Sequence, residues 1–209
     1  MTSKLAFTAS VLAVQPRIRL HRSFDQRSHS YTGYVLRLDS QVDGSTRAVV
    51  IAIGKSAQEK HSFRAGDIVS GEGEPVAEPQ TEVADLYKVT KLKVVERRVP
   101  EAPVGPPWTG TPPALEVYRA RGHRRLDAKT FEAKCSTCMW ACQMAVELTI
   151  DQWNPGNVRW RRETFCYGPK SCKRYRPGPT RKVPGRKGMS WTEEDWIDEE
   201  ATSHREPDE

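Results

Sequence analysis

Apolar and polar residues alternate with a period of two over much of the first hundred positions. In Pro16–Phe24, Ile18 and Leu20 alternate with Arg17, Arg19 and His21, the pattern of a half-buried strand. Tyr34, Leu36 and Leu38 repeat it just after Gly33, with Val35 and Arg37 between them. Arg47–Ile53 is nearly continuous in apolar residues, as a strand buried on both faces would be. A Gly66-Asp67 turn leads into Ile68-Val69. Leu86–Val95 supplies a last strand, whose alternation changes phase near Thr90-Lys91 and predicts a bulge there. No segment of this region has a 3.6-residue period. Five strands joined by turns, with no helical crossover, predict a mainly β fold built on a small closed or sandwiched sheet.

A second pair of alternating segments lies far downstream. From Gln143 to Asp151, Met144, Val146, Leu148 and Ile150 alternate with Ala145, Glu147, Thr149 and Asp151. Val158–Cys166 alternates more weakly, and Trp153-Asn154-Pro155-Gly156-Asn157 between the two is strong turn chemistry. A hairpin with its tip near Pro155 follows. Pro100, Pro103, Pro106, Pro107, Pro112 and Pro113 stiffen the stretch 99–113 into a linker. Thr111 is placed to cap a short helix that Gly122 ends. The predicted organisation is therefore a β module over 1–98, a linker over 99–113, a cysteine module over 114–176, and a flexible tail over 177–209.

The segment Phe63-Arg64-Ala65-Gly66-Asp67-Ile68-Val69-Ser70-Gly71-Glu72-Gly73 resembles the turn and strand found in many OB-fold barrels. The resemblance covers roughly residues 5–98 and implies a five-stranded barrel with a nucleic-acid-binding face. An SH3-like barrel or a small sandwich is the alternative.

All five cysteines fall between positions 135 and 172, in the spacing Cys135-x2-Cys138-x3-Cys142, then Cys166-x5-Cys172. An odd, clustered set points away from a disulfide framework and toward a metal site in a reducing, cytoplasmic compartment. Folding the hairpin about Pro155 brings Cys142 and Cys166 to its base, with Cys135 and Cys138 before one strand and Cys172 after the other. That arrangement resembles a zinc ribbon, from about residue 133 to 175, and departs from it in the x5 spacing and the fifth cysteine. Cys135, Cys138, Cys166 and Cys172 are the expected zinc ligands, with Cys142 as an alternate. An iron–sulfur cluster or a metal-free thiol pair is the rival. His123, amid Arg121, Arg124 and Arg125, reads as a surface residue.

Of the 209 residues, 37% are hydrophobic and 29% charged, low in apolar content for one fully packed body, so exposed chain is expected around the modules. Charge is unevenly spread. Residues 1–118 carry 15 Lys/Arg and 13 Asp/Glu (+2), residues 119–188 carry 17 and 5 (+12), and residues 189–209 carry 1 and 9 (−8), which sum to +6. A basic module beside an acidic tail is the footprint of a polyanion binder with an internal competitor. Arg17, Arg19 and Arg37 lie on polar strand faces. Trp140, Trp153 and Trp160 are interleaved with Arg159, Arg161 and Arg162, and Lys170, Arg181, Lys182, Arg186 and Lys187 form a basic arm. These are the candidate contacts to single-stranded DNA or RNA, whose unpaired bases stack on aromatics beside phosphate-binding cations. Trp191 and Trp196 in the acidic tail are candidates for docking in cis or on a protein partner.

No apolar run approaches the roughly 20 residues needed to span a bilayer, and Leu5–Val14 lacks a cleavage signature, so neither membrane span nor signal peptide is expected. Phosphate-loop, dinucleotide, serine-hydrolase and zinc-deaminase signatures are all missing, so no catalytic constellation is found and the enzyme question stays open. A protein–protein adaptor and an iron–sulfur or thiol redox protein are the alternative functions.

Overall fold

The computed structural model describes residues 3–23, 26–42, 45–97 and 105–208. It is mainly β. Among the described residues ten strands are formed: β1 (Leu5–Arg22), β2 (Arg27–Val42), β3 (Ser45–Ile53), β4 (Ile68–Pro75), β5 (Leu86–Glu96), β6 (Arg124–Arg125), β7 (Ala141–Thr149), β8 (Val158–Cys166), β9 (Lys182–Pro184) and β10 (Ser190–Thr192). Four short helices accompany them: α1 (Lys55–His61), α2 (Leu115–Arg121), α3 (Ala128–Thr130) and α4 (Trp196–Thr202). Eight strands make one mixed sheet in the order β2-β3-β5-β4-β1-β7-β8-β6, with β2 also paired to β1; β9 and β10 form a separate pair. Among the described residues no helix is long and apolar enough to cross a membrane.

β1 carries the architecture. Its first half pairs with β4, nearly all of its second half with β2, and its last four residues run parallel to β7. Two register shifts against β2, between Val11 and Ala13 and between Arg17 and Ile18, let one strand serve three neighbours. The Gly66-Asp67 turn docks at the first shift, where Gly66 N–H donates to Val11 O at 2.7 Å and Val11 N–H to Asp67 O at 2.8 Å. β2 continues to β3, β3 meets β5 at Ile51 and Leu86, and β5 returns to β4, so the pairings run from β1 round to β1. α1 sits between β3 and β4. The bulge near Thr90-Lys91 is present: Glu72 opposes Thr90 while Ser70 opposes Lys93, and Lys91 has a positive φ of 53°.

β1–β7 pairing joins the strands of the expected β module and cysteine module into one sheet. One apolar core runs from Val11, Leu20, Leu36 and Ile51 to Met144, Val146, Phe165 and Tyr167. Residues 99–104 of the Pro-rich stretch lie outside the described residues, and in its described part Pro113 O accepts from the Tyr34 hydroxyl at 2.9 Å. The tail is likewise no loose arm. β9, β10 and α4 fold back, burying Val183, Glu193, Ile197, Thr202 and Arg205. Its carboxylates find arginines in the body: Arg22 donates to Glu193 at 2.5 Å, and Arg125 to Asp195 at 2.5 Å and Asp198 at 2.9 Å. Composition hid those partners, since each lies at least 70 residues upstream.

Candidate metal centre and cationic surfaces

Strand alternation sorts the five cysteines. Ala141 opposes Cys166 and Cys142 opposes Phe165 in the β7–β8 ladder, so Cys166 and Cys142 face opposite sides of the hairpin. Cys142 points into the main core among Met144, Val146 and Phe165, whereas Cys166 joins Cys135 and Cys138 in a second cluster with Leu126, Phe131 and Ala141. Trp108, Trp140 and Tyr175 cover that second cluster.

Two turns present its thiols. α3 is capped by Asp127, which accepts from Thr130 N–H at 2.8 Å, and a π-helical turn over Phe131–Cys135 carries Cys135 to the cluster. Cys138 N–H then donates to Cys135 O at 3.0 Å, and Ala141 N–H to Cys138 O at 3.1 Å, where β7 starts. On the other side, β8 ends at Cys166. Gly168 N–H donates to Cys166 Sγ at 3.4 Å, and Cys172 N–H to Pro169 O at 3.2 Å. The amides of Trp108 and Trp140 are aimed at Cys138 in the same way. Gln15, only 1% exposed on β1, clasps the first turn by donating to Ser136 O at 3.1 Å and Cys138 O at 2.9 Å. Sequence reasoning missed Gln15; its one signal was a lone amide inside the apolar stretch from Val11 to Pro16.

Electrostatically the thiols feel one another. Burial pushes Cys135 up to about 11, with Cys166 and Cys172 adding to the shift. Burial likewise pushes Cys138 up to about 12, against the two tryptophan amides and with help from Cys166 and Cys135. Cys166 is raised by burial and by Cys172, while Gly168 N–H and Arg124 pull it back. Arg174 and Lys134 do the same for Cys135. Cys142 is raised by burial, with Cys166 adding to the shift. Among the described residues, no group of three or more His, Cys, Asp or Glu side chains is drawn close enough to hold a metal ion as it stands.

The candidate nucleic-acid contacts divide into three sets. Arg17, Arg19, Trp160 and Arg162 come together on the outer face of β1, β7 and β8. The Arg19 guanidinium lies 5.4 Å from the Trp160 ring centre, Arg17 is ion-paired with Glu82, and Arg162 donates to Pro79 O at 2.6 Å and Glu82 O at 2.9 Å. A second set is used internally. Arg161 pairs with Glu163, Arg181 lies 3.3 Å from Glu163, Lys170 donates to Arg205 O at 3.2 Å, and Arg186 lies 3.6 Å from Asp151. Arg37 is half-buried beside Phe131, and Trp140 is half-buried between Tyr118 and Arg121, so it offers no open stacking face. The third set is open: Trp153, 86% exposed at the hairpin tip, and Arg159, Lys182 and Lys187, all exposed.

His123 is not a surface residue. It is buried edge-on between His29, 4.7 Å away, and Phe165, 4.6 Å away. Trp191 of β10 packs on the main core, while Trp196 of α4 stays 56% exposed. No family model, no curated protein and no solved structure matches the chain.

Proposed function

We propose that the chain is a single-stranded nucleic-acid-binding protein, an OB-like barrel extended by a zinc-bearing hairpin. The pairings β1-β2-β3-β5-β4-β1 return to the first of five strands, which supports a five-stranded OB-like barrel. The observation that carries the binding reading is the outer face. Arg17 and Arg19 lie more than a hundred residues from Trp160 and Arg162 in sequence, yet all four share one patch. A guanidinium already stacked on a half-exposed tryptophan is a platform for an unpaired base, with neighbouring cations for phosphate.

Zinc suits the cysteine cluster chemically. Cys135, Cys138, Cys166 and Cys172 come from two turns, backbone N–H groups aim at Cys138 and Cys166, and Arg124, Arg174 and Lys134 offset thiolate charge. Bound zinc would supply a structural cross-link, closed to water. Cys142, on the other face of β7, is then an ordinary core thiol.

The test is a titration with labelled single-stranded oligonucleotide at several salt concentrations, together with metal analysis of the purified chain. Affinity should fall with salt at a log–log slope of about −0.7 per phosphate contacted. Trp160→Ala should weaken binding by roughly tenfold or more, the worth of one stacked base. Zinc should be present at one per chain, without a visible absorption band. Failure to bind at low salt would overturn the nucleic-acid reading in favour of the adaptor, and a coloured iron-containing protein would overturn zinc.

A further inference from the structure

On the outer face of the sheet, Arg19 of β1, Ala145 of β7 and Arg162 of β8 lie in one cross-strand row. Two long cationic side chains thus flank a methyl group. A short helical turn over Pro79–Thr81 and the following Glu82 are carried across this face. Arg17 holds them by its ion pair with Glu82, and Arg162 by donating to Pro79 O and Glu82 O. With only a methyl at position 145, a hollow of about 230 Å³ remains between that turn and the sheet. Arg17, Arg19, Thr32, Thr81, Glu82 and Ala145 line it. Sites that enclose a whole small molecule occupy roughly 300–1,000 Å³, so this one fits a single ring system.

Charge inside the hollow is cancelled. Burial works against the Glu82 carboxylate, but Arg17 and the amides of Ala84 and Val83 hold it below the ordinary range, so it stays ionised against Arg17. Glu147, the carboxylate next along β7 on this face, lies 3.5 Å from His21. Arg19 on the rim and Arg162 beside it have no carboxylate partner among the described residues. A neutral ring therefore suits the interior, and phosphates suit the rim.

The hydrogen-bonding groups left for a ligand are acceptors. The Thr32 hydroxyl donates to Arg17 O at 3.1 Å and the Thr81 hydroxyl to Glu78 O at 2.9 Å, so each has spent its one proton. Thr81 O meets Arg19 only at 3.4 Å, and the Glu82 carboxylate is acceptor-only. The arginine donors are committed, Arg17 to Glu82 and Arg19 to the Trp160 ring.

We infer that the hollow takes one unpaired base carrying an amino group, cytosine or adenine, in preference to thymine or uracil, with the flanking phosphates on Arg19 and Arg162. The inference deepens the single-strand reading above and rests on it. Cytosine presents an amino donor where thymine presents a carbonyl. Among acceptors the amino group is satisfied, whereas the carbonyl is left unpaired. Stacking on Trp160 does not make that distinction, since every base has a π-face.

The test compares labelled oligo(dC) and oligo(dT) of equal length on the full-length protein at low salt. Oligo(dC) should bind at least about fivefold more tightly. Ala145→Leu, which fills the hollow, should erase that preference, whereas Trp160→Ala should weaken both strands and leave their ratio in place. Ala145 is 4% exposed, so its variant is first melted. Should it unfold early, Thr32→Leu decides instead, because Thr32 is exposed and the change narrows the mouth and removes an acceptor. Equal affinity for the two strands, or a preference that survives in the deciding variant, overturns the inference and leaves binding through Trp160 standing. If neither strand binds, the nucleic-acid reading falls and takes the inference with it.

Discussion

His29 and His123 show how one residue's environment sets a property of the fold. Their rings meet at 4.7 Å inside the protein. Burial, then Arg27 and Arg22, lowers His29 from 6.5 to about 4, and burial with His29 beside it holds His123 well below its ordinary value. Both are therefore neutral when folded and take a proton near 6.5 when unfolded. As pH drops below 6.5 the unfolded state binds protons that the folded state refuses, so stability is full above 6.5 and declines toward pH 4. The slope approaches about 1.4 kcal/mol per pH unit for each histidine. Urea titrations at pH 7.5 and 5.0 should show this loss, and His123→Phe, which keeps an aromatic ring against Phe165 and Tyr167, should remove about half of it. An unchanged slope in the variant would assign the acid sensitivity to other groups. In sequence, His123 sits among three arginines and looks exposed; nothing local announces that its neighbours will be His29 and Phe165.

At the scale of elements, period-two patterning made the strands of both halves legible, together with the bulge in β5 and the hairpin tip. Polar faces of β1 and β8 were legible too, and Arg17, Arg19, Trp160 and Arg162 do meet. Pairings between distant elements were not. Alternation tells a strand which face to bury but not which strand lies beside it, so the parallel β1–β7 contact was invisible. The same limit hid which cysteine faces away, because that depends on register: Cys142 opposes Phe165, and Ala141 opposes Cys166. β1–β7 pairing has a measurable consequence. Cys135→Ser/Cys138→Ser should abolish the proposed zinc binding and, because Gln15 of β1 grips that turn and Met144 and Val146 share the core of Leu20 and Leu36, destabilise the whole chain in one transition. Limited proteolysis of the double variant should cut the N-terminal strands as readily as residues 133–175. A protected fragment spanning residues 5–97 would show that the two halves fold separately.

For the whole molecule, the opposed charges of the last ninety residues are a folding device before they are anything else. The acidic segment of net −8 lies on the basic body through three carboxylates with defined arginine partners, and two of those arginines, Arg22 and Arg125, are themselves buried. Removing residues 190–209 takes Glu193 from Arg22, Asp198 from Arg125, and the cover of β10 and α4 from the apolar core. Gly122 tightens the same joint: its φ of 67° admits glycine, and a Cβ there would lie 2.1 Å from Ala201 O in α4. Stripping a buried arginine of its carboxylate costs about 3–5 kcal/mol, so the truncated chain should melt well below the full-length protein. Tighter nucleic-acid binding, the outcome expected of a loose competitor, should not accompany a native fold. Asp195 makes the contrast sharp, because it is 80% exposed although it faces the same arginine. Asp195→Asn should cost at most about 1 kcal/mol, whereas Glu193→Gln, inside the Arg22–Glu163 network, should cost several times as much. Thermal melts at 0.1 M and 1 M salt separate the cases: the buried contacts should hold at both, and any contribution of Asp195 should vanish at the higher. A truncated protein with the native melting temperature would return the tail to the status of a free acidic arm.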